Sequence, residues 1–118
     1  MAETTAMPSE LRLSKDRKRL TVVFDEVRYD LSAELLRVES PSAEVQGHDP
    51  SQKKIIPGKR NVMIRDIETV GNYAVRLVFD DGHETGIYSW DVLNRLGRDA
   101  DALMETYLAK LGEAGQSR

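Results

Sequence analysis

The chain has no cysteine in any of its 118 positions. That one absence excludes disulfides, thiolate zinc sites, iron–sulfur clusters ligated by the protein's own thiolates, and a cysteine nucleophile. Histidine is nearly as scarce, with only His48 and His83, and aromatic residues make up 6% of the chain. No stretch approaches the run of about 18 apolar residues needed for a membrane-spanning helix. Met1–Pro8 carries neither a basic segment nor an apolar run, so no secretion signal or transit peptide is read there. A reducing cytoplasm is the expected compartment, with no membrane partner. The zincin HExxH pair, the GxSxG nucleophile elbow, the phosphate-loop lysine and an Asp-rich calcium loop are also missing.

What remains is a balanced composition, 40% apolar and 31% charged, which belongs to a globular chain with a core of its own. The length predicts a single domain able to bury that core without staples. Net charge is −3, so no global attraction to nucleic acid is expected, but the charge is polarised along the chain. Leu11–Arg19 holds five basic residues against Asp16 alone, Pro50–Arg65 holds five and no acid, and Asp80–Arg118 holds eight acids against four bases. These are either solvated faces or, for the two basic runs together, a patch for an anion or an acidic partner.

The hydrophobic period changes along the chain. Glu10–Ser14 and Arg19–Phe24 read as strands separated by a charged turn, and Asp25-Glu26 connects to a third, in which Val27, Tyr29 and Leu31 alternate with polar residues. Ser32 is placed to cap a short helix with Leu31 and Leu36 at staple spacing, ended by Ser40-Pro41. Ser40–Asn61 is 22 residues with three prolines, two glycines, four basic residues and no clear period, either a solvated loop or a binding loop. Val62–Val70 reads as a strand with a bulge near Asp66. Tyr73–Phe79 is a strong strand, Asp81-Gly82 a two-residue turn, and Thr85, Ile87 and Tyr88 the return strand. Ser89 caps a helix carrying Trp90, Leu93 and Leu96 and stopping at Gly97, and Asp99 caps another running to Gly112. The expected fold is α+β: an antiparallel sheet built from two hairpin systems, with one short helix and two C-terminal helices packed on it. Residues 1–8 and 113–118 are expected as a disordered N-terminal and a flexible C-terminal tail around one domain at 9–112.

Few residues carry chemistry. His48 and His83 each have acids nearby, but no helical spacing joins them. Pro57-Gly58-Lys59-Arg60 offers two cations to an anion or is simply a polar turn. Ile87, Tyr88 and Trp90 sit where a strand becomes a helix, and read as core or as a partner-facing aromatic patch.

The run Asp80-Asp81-Gly82-His83-Glu84-Thr85-Gly86-Ile87-Tyr88-Ser89-Trp90-Asp91-Val92-Leu93, with the Leu35-Leu36-Arg37 helix before it, resembles the small bacterial domain family similar to the N-terminal domain of gamma-butyrobetaine hydroxylase. The resemblance covers about Leu11 to Leu96. It implies an accessory domain that, in the hydroxylases, precedes a separate iron and 2-oxoglutarate domain and holds zinc through a Cys-x-Cys-x-x-Cys motif and a histidine. Those positions fall here on Ser40, Ser42, Val45 and His83, so one ligand of four is retained and this chain resembles a cysteine-free branch. No zinc site and no cofactor are expected, and neither is hydroxylase activity, since the catalytic domain's iron motif is missing from the sequence. A metal shared by His48, His83 and Glu44 is the alternative.

The resulting expectation is a non-catalytic accessory domain that interacts with a protein through the 40–61 loop and the His83 hairpin. Its candidate contacts are His48, Lys53, Lys54, Lys59, Arg60, His83, Tyr88 and Trp90. The family's other settings imply an iron–sulfur carrier ATPase or an oxygenase as partner. The alternative is a metal- or cluster-handling accessory using His83 with ligands from a partner.

Overall fold

In the computed structural model, residues 6–118 are described, and the expected N-terminal tail at 1–5 lies outside them. The strands are β1 (Glu10–Leu13), β2 (Arg19–Phe24), β3 (Val27–Ser32), β4 (Ile64–Val70), β5 (Ala74–Phe79) and β6 (Ile87–Ser89). The helices are α1 (Ala33–Val38), α2 (Ala43–Gln46), α3 (Trp90–Arg98) and α4 (Ala100–Glu113), with a 3₁₀ turn at Pro50–Gln52. The two hairpin systems form two separate three-stranded antiparallel sheets, β1-β2-β3 and β4-β5-β6. The architecture is the α+β class read from the sequence.

Alternation sets the first sheet. Leu20 and Val22 of β2 turn inward, while Thr21 faces out, pairs with Asp30 of β3 and donates its hydroxyl to the carboxylate at 2.7 Å. In the second sheet Val75, Leu77 and Phe79 of β5 are fully buried, and the bulge expected near Asp66 is present as a register shift between Ile64 and Asp66. The two sheets meet at the charged turn before β2. Arg17, in a left-handed conformation (φ 62°), accepts from the Ile64 N–H at 2.8 Å, and its guanidinium donates to the Arg65 carbonyl at 2.7 Å. Leu20, Val22 and Leu31 then share one core with Leu35 and Leu36 of α1, Ile64, Leu77 and Phe79 of the second sheet, and Trp90, Leu93 and Leu96 of α3.

Serine caps form where expected: Ser32 accepts from Leu35 N–H at 3.1 Å and Ser89 from Val92 N–H at 3.2 Å. Three local expectations are corrected. Gly97 does not stop α3, which continues to Arg98; a methyl at Gly97 would sit 2.3 Å from Tyr29 Cγ, so the glycine lets the helix lie directly on β3. Asp99 makes no side-chain cap bond, because α3 and α4 are separated by that residue alone and its backbone (φ −103°, ψ 12°) is not the extended geometry of a cap. Thr85 lies outside the return strand, which begins at Ile87; the Phe79 N–H bonds to the His83 carbonyl at 2.9 Å, and the chain from His83 to Gly86 leaves the ladder.

The stretch after α1 is also more ordered than its composition suggests. Ser42 caps α2 by accepting from Glu44 N–H at 3.2 Å, and Lys54 N–H returns to the Val45 carbonyl at 2.8 Å. At the C-terminus, where a tail was expected, Gly58 N–H donates to the Ser117 carbonyl at 3.0 Å, and Arg118 holds both oxygens of Glu34, a buried α1 carboxylate, at 2.6 and 3.1 Å.

The two helical glycines should respond oppositely to alanine. In a free helix Gly→Ala gains about 0.5–1 kcal/mol. Gly112 has open space and should follow that rule, whereas Gly97→Ala, overpacked against Tyr29, should lose about 1–3 kcal/mol. Urea unfolding of both variants measures this, and stabilisation by Gly97→Ala would refute the close approach of α3 to β3.

Candidate functional site

Where α1 ends, Glu39 closes the helix and Ser40 continues into extended chain, while the segment leaving β5 carries His83 inward. The two meet: Ser40 Oγ lies 2.9 Å from His83 Nε2, with Ser40 fully buried and His83 6% exposed. On the other side of the ring, Glu44 Oε2 of α2 faces Nδ1 at 3.3 Å. A carboxylate at Nδ1 assigns the proton there, so Ser40 donates to Nε2. Burial is the main cause that pushes the imidazole's pKa below its usual value, and the Arg37 guanidinium adds to it, against the opposite pull of Glu44 and Asp81. His83 is therefore neutral at pH 7.

Close packing surrounds this contact. Ser42 Oγ and Thr85 Oγ1 share a hydrogen bond of 2.8 Å, and a methyl at Gly86 would lie 2.5 Å from Ser40 Oγ. The buried Tyr88 hydroxyl donates to the Leu36 carbonyl, and burial pushes its pKa upward. Beneath His83, Asp81 receives Arg37 Nε at 2.7 Å, Lys59 Nζ at 2.6 Å and the His83 backbone N–H at 3.0 Å. Burial alone would raise the Asp81 pKa, but Lys59, the His83 amide and Arg37 together bring it down to about 2. Among the described residues, Arg37 Nη1 is buried without a hydrogen-bond partner.

The candidate residues thus divide. Ser40, Ser42 and His83 share one hydrogen-bonded region, beside which Val45 is buried on α2, which also supplies Glu44. His48 does not join them: it is exposed, and its N–H donates to Gln52 Oε1 at 2.8 Å. Lys53 binds the buried Glu39 at 2.6 Å and Lys59 binds Asp81, so neither is a free cation, whereas Lys54 and Arg60 are exposed. Tyr88 and Trp90 are core residues, at 0% and 5% exposure, so the partner-facing reading of them is corrected; Ile87, the third of that group, is 46% exposed. Glu39, Arg37, Thr85 and Gly86 carry no candidate role in the sequence, and Asp81 enters there only as one of the acids beside His83. A glycine beside a predicted strand does signal close approach of other atoms, and Gly86 is such a case.

Ser40, His83 and Glu44 have the order of a hydroxyl–imidazole–carboxylate relay. The hydroxyl is not presented to any substrate, since Ser40 has no exposed surface and also accepts from Ser42 N–H at 3.3 Å.

Two small antiparallel sheets, a short helix between them and a histidine latched against that helix's exit define a class of small α+β domain. The chain belongs to the gamma-butyrobetaine hydroxylase-like N-terminal domain family, which it matches over residues 11–94. Two NMR solution structures are similar to it at 48% and 47% identity, with TM-scores of 0.84 and 0.81, covering 97% and 100% of this chain and 90% of each of those. A crystal structure of a DUF971-family protein with unknown function from Acidithiobacillus ferrooxidans is 35% identical, with a TM-score of 0.65, over 81% of this chain and 98% of that one. Among curated proteins none matches. The relationship establishes a family of unknown function and carries no catalytic role with it.

The zinc implied by the family resemblance does not fit the residues present. Ser40 and Ser42 offer hydroxyls already engaged with His83 and Thr85, Val45 offers no donor, both ring nitrogens of His83 are occupied, and the Arg37 guanidinium stands beside the imidazole. Among the described residues no group of three or more His, Asp or Glu is arranged to hold a metal.

Two outcomes are expected. Ser40→Ala leaves the buried Nε2 without its donor and should cost about 1–3 kcal/mol in urea unfolding. Stability should also fall with pH in two windows. Below 6.5 an unfolded histidine takes up a proton that buried His83 resists, and from 3.8 down to about 2 the Asp81 pairing is lost. His83→Gln should flatten the first window and leave the second, and a flat wild-type profile between pH 7 and 5 would disprove the buried neutral imidazole.

Proposed function

We propose that this domain is a non-catalytic docking module that engages a protein partner through the outward face of residues 40–61 and the adjoining His83 turn. The observation that carries this reading is how firmly that segment is held from beneath. Ser40 binds His83, Ser42 binds Thr85, Lys53 binds Glu39, Tyr107 donates to the Ile56 carbonyl, and Lys59 binds Asp81. Meanwhile Lys54 is exposed, and Ile55 keeps 37% of its surface in solvent. They line a groove together with Val38, Leu103, Tyr107 and Lys110. A loop ordered in advance binds without the entropic cost of ordering, and long idle loops are uncommon in small domains. The partner classes that the family's settings suggest are an ATPase carrying an iron–sulfur cluster or an oxygenase.

Only part of the basic run serves such a role, because Lys53 and Lys59 hold the domain together. The test is quantitative affinity capture from a bacterial lysate with the wild type, with Lys54→Glu combined with Ile55→Asp, and with Lys110→Glu. A specific partner retained by the wild type should be reduced roughly tenfold by the double variant, a loss of about 1.4 kcal/mol. Equal capture by all three proteins removes this face from the account. Stoichiometric zinc or iron in the untagged protein that disappears in His83→Ala would replace the reading with a metal- or cluster-handling one.

A further inference from the structure

The two basic runs that are separate in sequence converge in the fold. A groove of about 280 Å³ lies between the turn before β2, the start of α1, the residues leading into β4 and the C-terminus, and Lys18, Arg19, Arg60 and Arg118 line it together with Asp16 and Glu34. Both carboxylates are already engaged. Asp16 Oδ1 accepts from Ser14 Oγ at 2.6 Å and from Lys18 N–H at 3.1 Å, and Glu34 is held at both oxygens by Arg118. Among the described residues, Lys18, Arg19 and Arg60 form no ion pair with any carboxylate. Three cations from two distant segments therefore line one groove without a close ion pair, although the Asp16 carboxylate that shares it also attracts Lys18 and Arg19.

Their spacing is set by backbone, not by flexible side chains alone. Lys18 carbonyl accepts from Ala33 N–H at 2.8 Å, Arg17 carbonyl from Ile64 N–H at 2.8 Å, and Lys59 carbonyl from Val62 N–H at 3.2 Å. The segments bearing the cations are thus tied to α1 and β4 before any ligand arrives, which reduces the cost of binding.

We propose that this groove binds an acidic segment of a protein, through carboxylate side chains set against Lys18, Arg19 and Arg60. Charge complementarity supports it, because a local excess of cations persists on a chain of net charge −3. A nucleic acid is a poorer match: no aromatic ring lines the groove for base stacking, and the acidic remainder of the chain repels a long polyanion. The groove shares Arg60 with the 40–61 segment but uses neither Lys54 nor Ile55, on which the docking test above rests, so the two proposals fail separately.

The test is titration of a hexaglutamate peptide into the ¹⁵N-labelled full chain, followed by amide chemical shifts at low and at raised salt. Saturable shifts confined to residues 16–19, 32–34, 58–62 and 116–118 are expected, weakening as salt rises. Arg19→Glu with Arg60→Glu should reduce affinity by about tenfold or more, and the milder Arg19→Gln with Arg60→Gln by a smaller factor, while Lys54→Glu should bind as the wild type does. Absence of saturable shifts, or equal affinity in the Gln and Glu variants and the wild type, would overturn the proposal. Tighter binding of inorganic phosphate or of a single-stranded oligonucleotide at the same residues would also overturn it, in favour of a phosphate ligand.

Discussion

The contact between Ser40 and His83 joins the exit of α1 to the chain leaving β5, across 43 positions of sequence. With it in place, Ser42 reaches Thr85, Gly86 must lack a side chain, and α2 is brought up so that Glu44 faces the imidazole. A buried imidazole and a buried hydroxyl each need a partner, and each supplies the other's. The two sheets are tied at Arg17; this second tie determines how the intervening loop lies across them.

The six-residue α1 is the hub for the charged groups. Glu34 binds Arg118, Arg37 binds Asp81, and Glu39, its C-cap, binds Lys53, so one short helix holds the C-terminus, the turn after β5 and the loop. Glu34 and Glu39 are buried, and a buried carboxylate is tolerated only with a cation against it. This explains why cations in a run that looks uniformly solvated have different roles: Lys53 and Lys59 are structural, while Lys54 and Arg60 remain exposed.

Within the gamma-butyrobetaine hydroxylase-like N-terminal family, this chain closes the region around His83 with a hydroxyl, a carboxylate and aliphatic packing. The outcome is an arrangement in which Ser40, His83 and Tyr88 face inward while His48, Lys54 and Arg60 stay exposed.

Much of the fold was legible in local pattern. Alternation located β2, β3 and β5, Ser32 and Ser89 announced their helices, and the phase change at Asp66 marked the bulge, because each is decided by neighbours within a few residues. Gly97 and Asp99 were misread by the same local rules, since the need for a bare backbone at 97 comes from Tyr29, 68 positions away. Of the candidate site, the family resemblance pointed to positions 40, 42, 45 and 83 as former metal ligands and Glu44 entered only as a shared-metal alternative, whereas the hydrogen bonds that join these side chains come from the fold. The sequence determined the six strands, helices α1, α3 and α4, and the absence of thiol chemistry. The tertiary structure alone decided which charges are paired, which aromatics are buried and where the basic runs meet, because those depend on contacts between residues 14 to 84 positions apart that exist only once the chain has folded.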